Sequence, residues 1–215
     1  MLTSLELMTE EVQVWVASLA VGDERYAELA GLVPRDEAEH ASSLHPVAGR
    51  RYIVARGILR KLLSGFTGTE PRKLRFDYGV SGKPSLAQSD GIHFNISHSA
   101  DLGLFAFSPD RPVGVDVENE RPVRRLLDVA QRFMTEHELH VLEETPPEQR
   151  NSAFLRSWVV REARLKAEGK GIWSSTSGAS SSNLTHKLFA PRPNYIAAVA
   201  AADDDWRLYT CAIRD

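Results

Sequence analysis

A chain of 215 residues, 42% hydrophobic and 26% charged, can bury a sizeable core in one compact domain or in two small, tightly joined ones. Lys plus Arg number 26 against 29 Asp plus Glu, a net charge of −3, which excludes a global basic field for nucleic acid or acidic membrane and makes any anion site local. The single cysteine, Cys211, excludes an internal disulfide framework and a cysteine metal cluster; with an acidic N-terminal stretch and no apolar run of bilayer length, a cytoplasmic location is expected.

In chain order, EVQVWVA (11–17) alternates valines at period two and predicts an opening strand. Helical stretches follow at 34–44, with acids in its first turn, and at 47–63, where VAGRRYIVARGILRKLL interleaves arginines with apolar residues at helical spacing. A short strand over 74–78 leads into GVSGKP (79–84), whose turn residues predict an exposed loop. IHFNIS and LGLFAFS predict a hairpin closed by HSAD, and VGVDVE follows the SPDRP turn as another alternating strand. A helical pattern over 123–142 is broken by Pro146 and Pro147, and a second long helix runs over 151–167, ended by Gly169 and Gly171. SSTSGASSSN (174–183) reads as a surface loop, after which YIAAVAA and WRLYTCAI predict a closing pair of strands. Strand, helices and hairpin, met twice, predict an α+β fold of two similar halves, 1–108 and 109–215, with a ligand lying between them.

Three places can carry chemistry. Asp116 and Glu118, two apart on a strand, share a face and can share a cation, while Val113, Val115 and Val117 make the other face core; for an isolated pair of this kind a solvated strand face is the commoner outcome. Glu162 and Lys166 stand one helical turn apart with Arg161 beside them, a spacing that a plain surface ion pair also satisfies. FNISHS (94–99) ends in Ser97, His98 and Ser99, polar groups suited to phosphate oxygens, although a lone histidine is usually structural. A serine hydrolase is disfavoured, because no GxSxG elbow exists and adjacent strand residues point to opposite faces.

Taken in order, the GKP loop, FNISHS, VGVDVE and WVVREARLKAEGKGI, with the arginine helix GRRYIVARGILR upstream and YIAAVA downstream, resemble the 4′-phosphopantetheinyl transferases of the surfactin-synthetase-activating type. The resemblance implies a pseudo-twofold pair of α/β halves with coenzyme A as co-substrate in the cleft between them and magnesium at its pyrophosphate. It implies transfer of the 4′-phosphopantetheine arm to a serine of an acyl or peptidyl carrier protein, with release of 3′,5′-ADP. By the same resemblance Asp116, Glu118 and Glu162 are the metal ligands, and magnesium's preference for hard oxygens agrees. Lys166 matches the lysine that neutralises or protonates the leaving phosphate, and Glu162 or a metal-bound water takes the serine proton. Lys83 and Pro84 match the loop against the adenosine, Ser97 and His98 match phosphate contacts, and Arg51 lies on the helix aimed at the 3′-phosphate. Arg56 and Arg60 share that helix but are read as solvating it or pairing with acids.

The chain departs from the family pattern in three places. Arg161 stands where a lysine is usual, and His40 and Ser43 stand where two arginines usually meet the 3′-phosphate, leaving Arg35 or His45 to supply that contact. The third departure is the serine-rich run after Trp173. Carrier helices are typically acidic, so a local basic or apolar surface is expected, with Arg121–Arg125 through Phe133 contributing. The rival readings are a coenzyme A or nucleotide-binding module without catalysis and a metal-dependent phosphohydrolase. Two halves that complete one cleft predict a monomer.

Overall fold

The alternation of Val12, Val14 and Val16 does form a strand, β1 (Glu11–Ser18), with those three side chains on one face and Ala17 on the other. The computed structural model describes residues 5–87, 91–170 and 183–213. After β1 come the helices α1 (Asp23–Ala30), α2 (Arg35–Ser42) and α3 (Pro46–Thr67), a 3-10 turn at Pro71–Lys73 and the small hairpin β2 (Phe76–Tyr78) and β3 (Pro84–Leu86). The strands β4 (His93–Ser99), β5 (Leu102–Ser108) and β6 (Val113–Asn119) fill the middle of the chain. Helices α4 (Leu126–Phe133), α5 (Glu136–Glu144) and α6 (Pro147–Ala167) precede β7 (Leu184–Phe189), β8 (Tyr195–Ala202) and β9 (Arg207–Ala212).

Two larger sheets result, ordered β4-β5-β1-β9 and β6-β8-β7. They pack face to face through Val12, Val14, Val16, Leu102 and Leu104 on one side and Val113, Val115, Val117, Ala197 and Val199 on the other. The outer face of the first sheet carries Phe94, Phe105 and Phe107, which bury Val54, Ile58, Leu59 and Leu62 of α3. The outer face of the second carries Ile196, Ala198 and Ala200, which bury Phe154, Leu155, Val159 and Ala163 of α6. The layers therefore run helix, sheet, sheet, helix. Strand, long helix and hairpin occur twice in the same order, β1-α3-β4-β5 and β6-α6-β7-β8, and in both sheets the first strand pairs with the last of its set.

The expected closing hairpin is corrected. β8 pairs with β6 and β7, whereas β9 crosses to the first sheet and pairs parallel to β1, from Glu11↔Arg207 to Val16↔Ala212. The missed strand β7, LTHKLF, has no period-two alternation of apolar and polar residues, and it takes the edge of β8 that WRLYTCAI was expected to fill. β9 is drawn back because Leu208 packs on the core between the sheets. The helix expected over 123–142 is two helices, because Thr135 and Glu138 form a reciprocal capping box that starts α5 while Met134 is extended. Most of the serine-rich run and Gly171 lie outside the described residues. No helix of the described residues is long and apolar enough to cross a membrane.

Two further packing features fix the helices. Gly114 is the point where α6 rests on β6: a Cβ there would stand 2.0 Å from Ala163 O and 2.4 Å from Ala167 N, so only glycine admits the helix so close. Beside the first sheet, Glu37 of α2 is buried between Arg56 and Arg60 of α3, bonded to both, and Arg60 also donates to Pro71 O at 2.7 Å and Leu74 O at 3.1 Å. Of the two readings of these arginines, pairing with an acid is the one realised.

Burial works to raise the pKa of Glu37, but the hydrogen bonds from Arg56 and Arg60 prevail and hold it below the usual carboxylate range. A depressed folded-state pKa adds stability that is present above the unfolded value and lost as pH falls through the folded one. Glu37→Gln, which leaves two buried guanidiniums without a counter-charge, is expected to lower unfolding free energy at pH 7 by about 3 to 5 kcal/mol. In urea titrations the gap between variant and wild type should close as pH falls through the carboxylate range; a gap independent of pH would contradict the assignment.

Candidate active site

The face of β6 opposite the core carries Gly114, Asp116 and Glu118, and α6 lies on it through the glycine contact just described. Because α6 is that close, residues one turn apart on its inner side, Glu162 and Lys166, reach the strand's carboxylates. Lys166 Nζ donates to Asp116 Oδ1 at 2.7 Å, to Ser97 Oγ at 3.1 Å and to Val115 O at 3.2 Å. Ser97 Oγ donates in turn to the same Asp116 Oδ1 at 2.8 Å. Ser99 Oγ donates to Glu118 Oε2 at 3.0 Å and accepts from Asn119 N at 3.1 Å.

These serines belong to β4 of the first sheet, whereas the carboxylates belong to β6 of the second sheet and to α6 lying on it. Among the described residues no backbone ladder joins β4 to β6. Side chains satisfy the strand edge instead: Asn95 Oδ1 accepts from Val115 N at 2.9 Å, Lys166 takes Val115 O, and Lys83 Nζ takes Val113 O at 3.0 Å. Asn95 is the functional neighbour that reading the sequence missed, and Ser99, expected to suit phosphate oxygens, bonds the Glu118 carboxylate instead. The signal for Asn95 was present, since Asn95, Ser97 and Ser99 put polar atoms on every second position of a β-prone run.

Asp116 and Glu162 are nearly inaccessible, at 5% and 4% exposure, and Glu118 is half-buried. Burial, then the Asp116 charge, push the Glu118 carboxyl up from its ordinary value. The same two causes, in the same order, push Glu162 up against the opposing charges of Lys166 and Arg161. One lysine thus faces three crowded carboxylates. Two buried oxygens, Asp116 Oδ2 and Glu162 Oε1, have no hydrogen-bond partner among the described residues. Buried carboxylate oxygens without donors are costly, and a hard divalent cation is the partner they fit. Among the described residues no three His, Cys, Asp or Glu groups stand where they could hold a metal ion by themselves. Magnesium does not require that: it binds through one or two carboxylates and completes its octahedron with waters and substrate phosphates.

Ser97 sits inside the carboxylate cluster, whereas His98, next along the strand, points to the opposite face and is exposed. Arg51, near the start of α3, donates from Nε at 3.0 Å and Nη2 at 2.5 Å to Oδ1 of Asp101 in the β4–β5 turn. Lys83 sends its ammonium inward, to Val113 O and to Lys166 O at 2.5 Å, and desolvation lowers its pKa to about 8. Pro84 opens β3 opposite Tyr78. Of the replacements for the two arginines, His40 packs edge-on against Tyr52 at 5.0 Å, Ser43 Oγ donates to His40 O, and Arg35 is exposed and bonded to Glu39. His45 is exposed at the N-terminus of α3. Beside Glu118 opens a cleft of about 490 Å³, floored by Val123, Val129, Phe154, Leu155 and Trp158 and edged by Arg121 and Arg124.

Residues 112–211 match the model of the 4′-phosphopantetheinyl transferase superfamily, a span that holds β6, α6 and every carboxylate of the cluster. The 4′-phosphopantetheinyl transferase HetI of Nostoc sp. is 38% identical over 173 residues, 79% of this chain and 73% of that protein. The 4′-phosphopantetheinyl transferase psf-1 of Bacillus pumilus is 32% identical over 126 residues, covering 59% of this chain and 53% of its own. The transferase Sfp of Bacillus subtilis is 29% identical over 128 residues, or 60% and 56% of the two chains. The last two alignments cover little more than half of those relatives. The HetI alignment covers more of the protein and runs upstream of the matched model, so the sequence agreement and the buried carboxylate cluster point the same way: this chain belongs to the 4′-phosphopantetheinyl transferase superfamily.

Proposed function

We propose that the chain transfers the 4′-phosphopantetheine moiety of coenzyme A to a serine of an acyl or peptidyl carrier protein, in the manner of the surfactin-synthetase-activating type. The observation that carries this reading is the pair of partnerless buried oxygens, Asp116 Oδ2 and Glu162 Oε1, beside the Lys166 ammonium. Asp116, Glu118 and Glu162 would hold magnesium, which when bound supplies positive charge to the pyrophosphate of coenzyme A. The matched order of elements in the two sheets supports a pseudo-twofold pair of halves with the co-substrate between them and a monomer as the working unit.

The serine Oγ attacks the β-phosphorus of coenzyme A, and the bond from that phosphorus to the bridging oxygen breaks, leaving phosphopantetheinyl serine and 3′,5′-ADP. Glu162, whose carboxyl is already raised in proton affinity, accepts the serine proton. Lys166 places its ammonium at the leaving oxygen, where negative charge grows as the bond opens. Ser97 and Ser99 keep Asp116 and Glu118 from rotating during the step. Arg51 presents two N–H groups that already converge on one oxygen of Asp101, an arrangement a 3′-phosphate oxygen can take over. The loop at 79–84 with Pro84 faces the adenosine, and His98 meets a phosphate from the exposed face of β4.

The cleft beside Glu118 suits the carrier, since an acidic helix meets Arg121 and Arg124 at the rim and apolar residues below. Arg125, expected to contribute as well, is bonded to Asp128 and does not line the cleft.

Intact-mass spectrometry of an apo carrier incubated with the protein, coenzyme A and magnesium is expected to show the gain of one phosphopantetheine. Asp116→Ala and Glu162→Ala should each cut the rate by about a hundredfold or more. Cleavage of coenzyme A without a carrier would favour a phosphohydrolase, and binding without turnover a non-catalytic module. Independently of turnover, magnesium chloride should raise the melting temperature, by the equivalent of about 2.7 kcal/mol at a hundred times its Kd. Asp116→Asn should remove that increment, and a wild-type melting temperature indifferent to magnesium would exclude the metal site. Replacing Arg121 and Arg124 with Glu should raise the KM for the carrier several-fold and leave that for coenzyme A unchanged; unaltered carrier kinetics would remove the cleft from the docking surface.

A further inference from the structure

Lys83 stands on the hairpin of the first half, yet its ammonium is committed to the second half. It donates to Lys166 O at 2.5 Å and Val113 O at 3.0 Å, and no carboxylate pairs with it among the described residues. Desolvating a cation without an anion is costly, and a lysine kept in that state serves the groups it contacts. Those groups are the last turn of α6 and the start of β6.

The turn itself is closed by a Schellman arrangement. Lys170 N donates to Leu165 O at 2.9 Å and Gly169 N to Lys166 O at 3.2 Å, with Gly169 at φ 69°. Lys166 O therefore accepts twice, once from its own helix and once from Lys83. Ser81 Oγ donates to Gly169 O at 2.6 Å, so the loop between β2 and β3 grips the helix end at a second point. A positive charge at a helix C-terminus is also favoured by the aligned peptide dipoles.

We propose that Lys83 is a positioning residue for Lys166: it caps the last turn of α6 from the other half of the molecule and sets where Lys166 enters the carboxylate cluster. The residue whose carbonyl Lys83 holds is the residue whose ammonium meets Asp116 at 2.7 Å. α6 has no slack toward β6, because the backbone at Ala163 and Ala167 already touches Gly114, so the remaining freedom of its end is to slide or fray. Lys83 and Ser81 oppose both. The role in catalysis rests on the transferase reading, but the clamp itself does not.

The test compares Lys83→Met with wild type by steady-state kinetics and by amide hydrogen exchange over residues 163–170. Loss of the clamp is expected to quicken exchange in that segment by about tenfold or more. In kinetics, kcat should fall by about ten- to a hundredfold while the KM for coenzyme A stays within about twofold. Lys73→Met, at an exposed lysine on the neighbouring 3-10 turn, should change neither. Lys83→Arg, which retains charge and two donors, should recover most of the exchange protection and of kcat, and it supplies the comparison should Lys83→Met not fold. A raised KM with unaltered exchange would show that Lys83 touches the co-substrate and would overturn the proposal. A fall in kcat in either variant without faster exchange at the end of α6 would overturn it as well. If the protein transfers nothing to any carrier, the exchange measurement still decides the clamp, so its failure and that of the transferase reading are separate outcomes.

Discussion

Three carboxylates gathered around one ammonium is the constraint on which the rest of this structure turns. Asp116, Glu118 and Glu162 repel one another in a setting where little water reaches them, and Lys166 answers only part of that repulsion. Such a cluster persists only if each group is held by something other than its neighbours. Asp116 is held by Ser97, Glu118 by Ser99, and the two residues of α6 by the helix lying directly on Gly114. The cost is met by the packing on either side, since β6 contributes valines to one core and faces the helix of another.

The seam between β4 and β6 explains why the charged cluster arises at a junction of two sheets. Had the strands joined by a regular ladder, the two sheets would be one, and no polar side chain would be needed between them. Asn95, Ser97, Ser99, Lys83 and Lys166 substitute for the missing ladder. Lys166 and Ser99, which close Val115 O and Asn119 N at the seam, also bond Asp116 and Glu118, so contacts that hold the two sheets together arrange the charged groups as well.

The Glu37–Arg56–Arg60 triad shows the opposite use of charge. There one carboxylate faces two guanidiniums, every oxygen of Glu37 is bonded, and Arg60 ties in the backbone of the 3-10 turn and the residue after it. The network fixes α2 against α3, and although Arg56 Nε has no partner among the described residues, it leaves no oxygen of Glu37 open for a ligand. The arginine helix thus divides its labour along its length, with Arg56 and Arg60 buried in structure and Arg51 half-exposed near the turn of the β4–β5 hairpin.

Reading the chain residue by residue located the strand DxE, the ExxxK helix and the FNISHS run because period-two and period-3.6 patterns state which side chains share a face. It could not show that these three faces meet, which depends on Gly114 admitting α6 and on a seam formed by side chains from residues twenty positions apart. It took β8 and β9 for a hairpin, because strand propensity is local whereas β9's partner, β1, lies at the other end of the chain. It gave Ser97 and His98 one task, and the strand put them on opposite faces. The available chemistry was legible in the residues alone: hard oxygens, a lysine one turn from a glutamate, and strands alternating with helices. Which atoms are spent and which stay open was settled by the packing of distant segments, because satisfaction of a buried polar group is a property of its neighbours in space rather than along the chain.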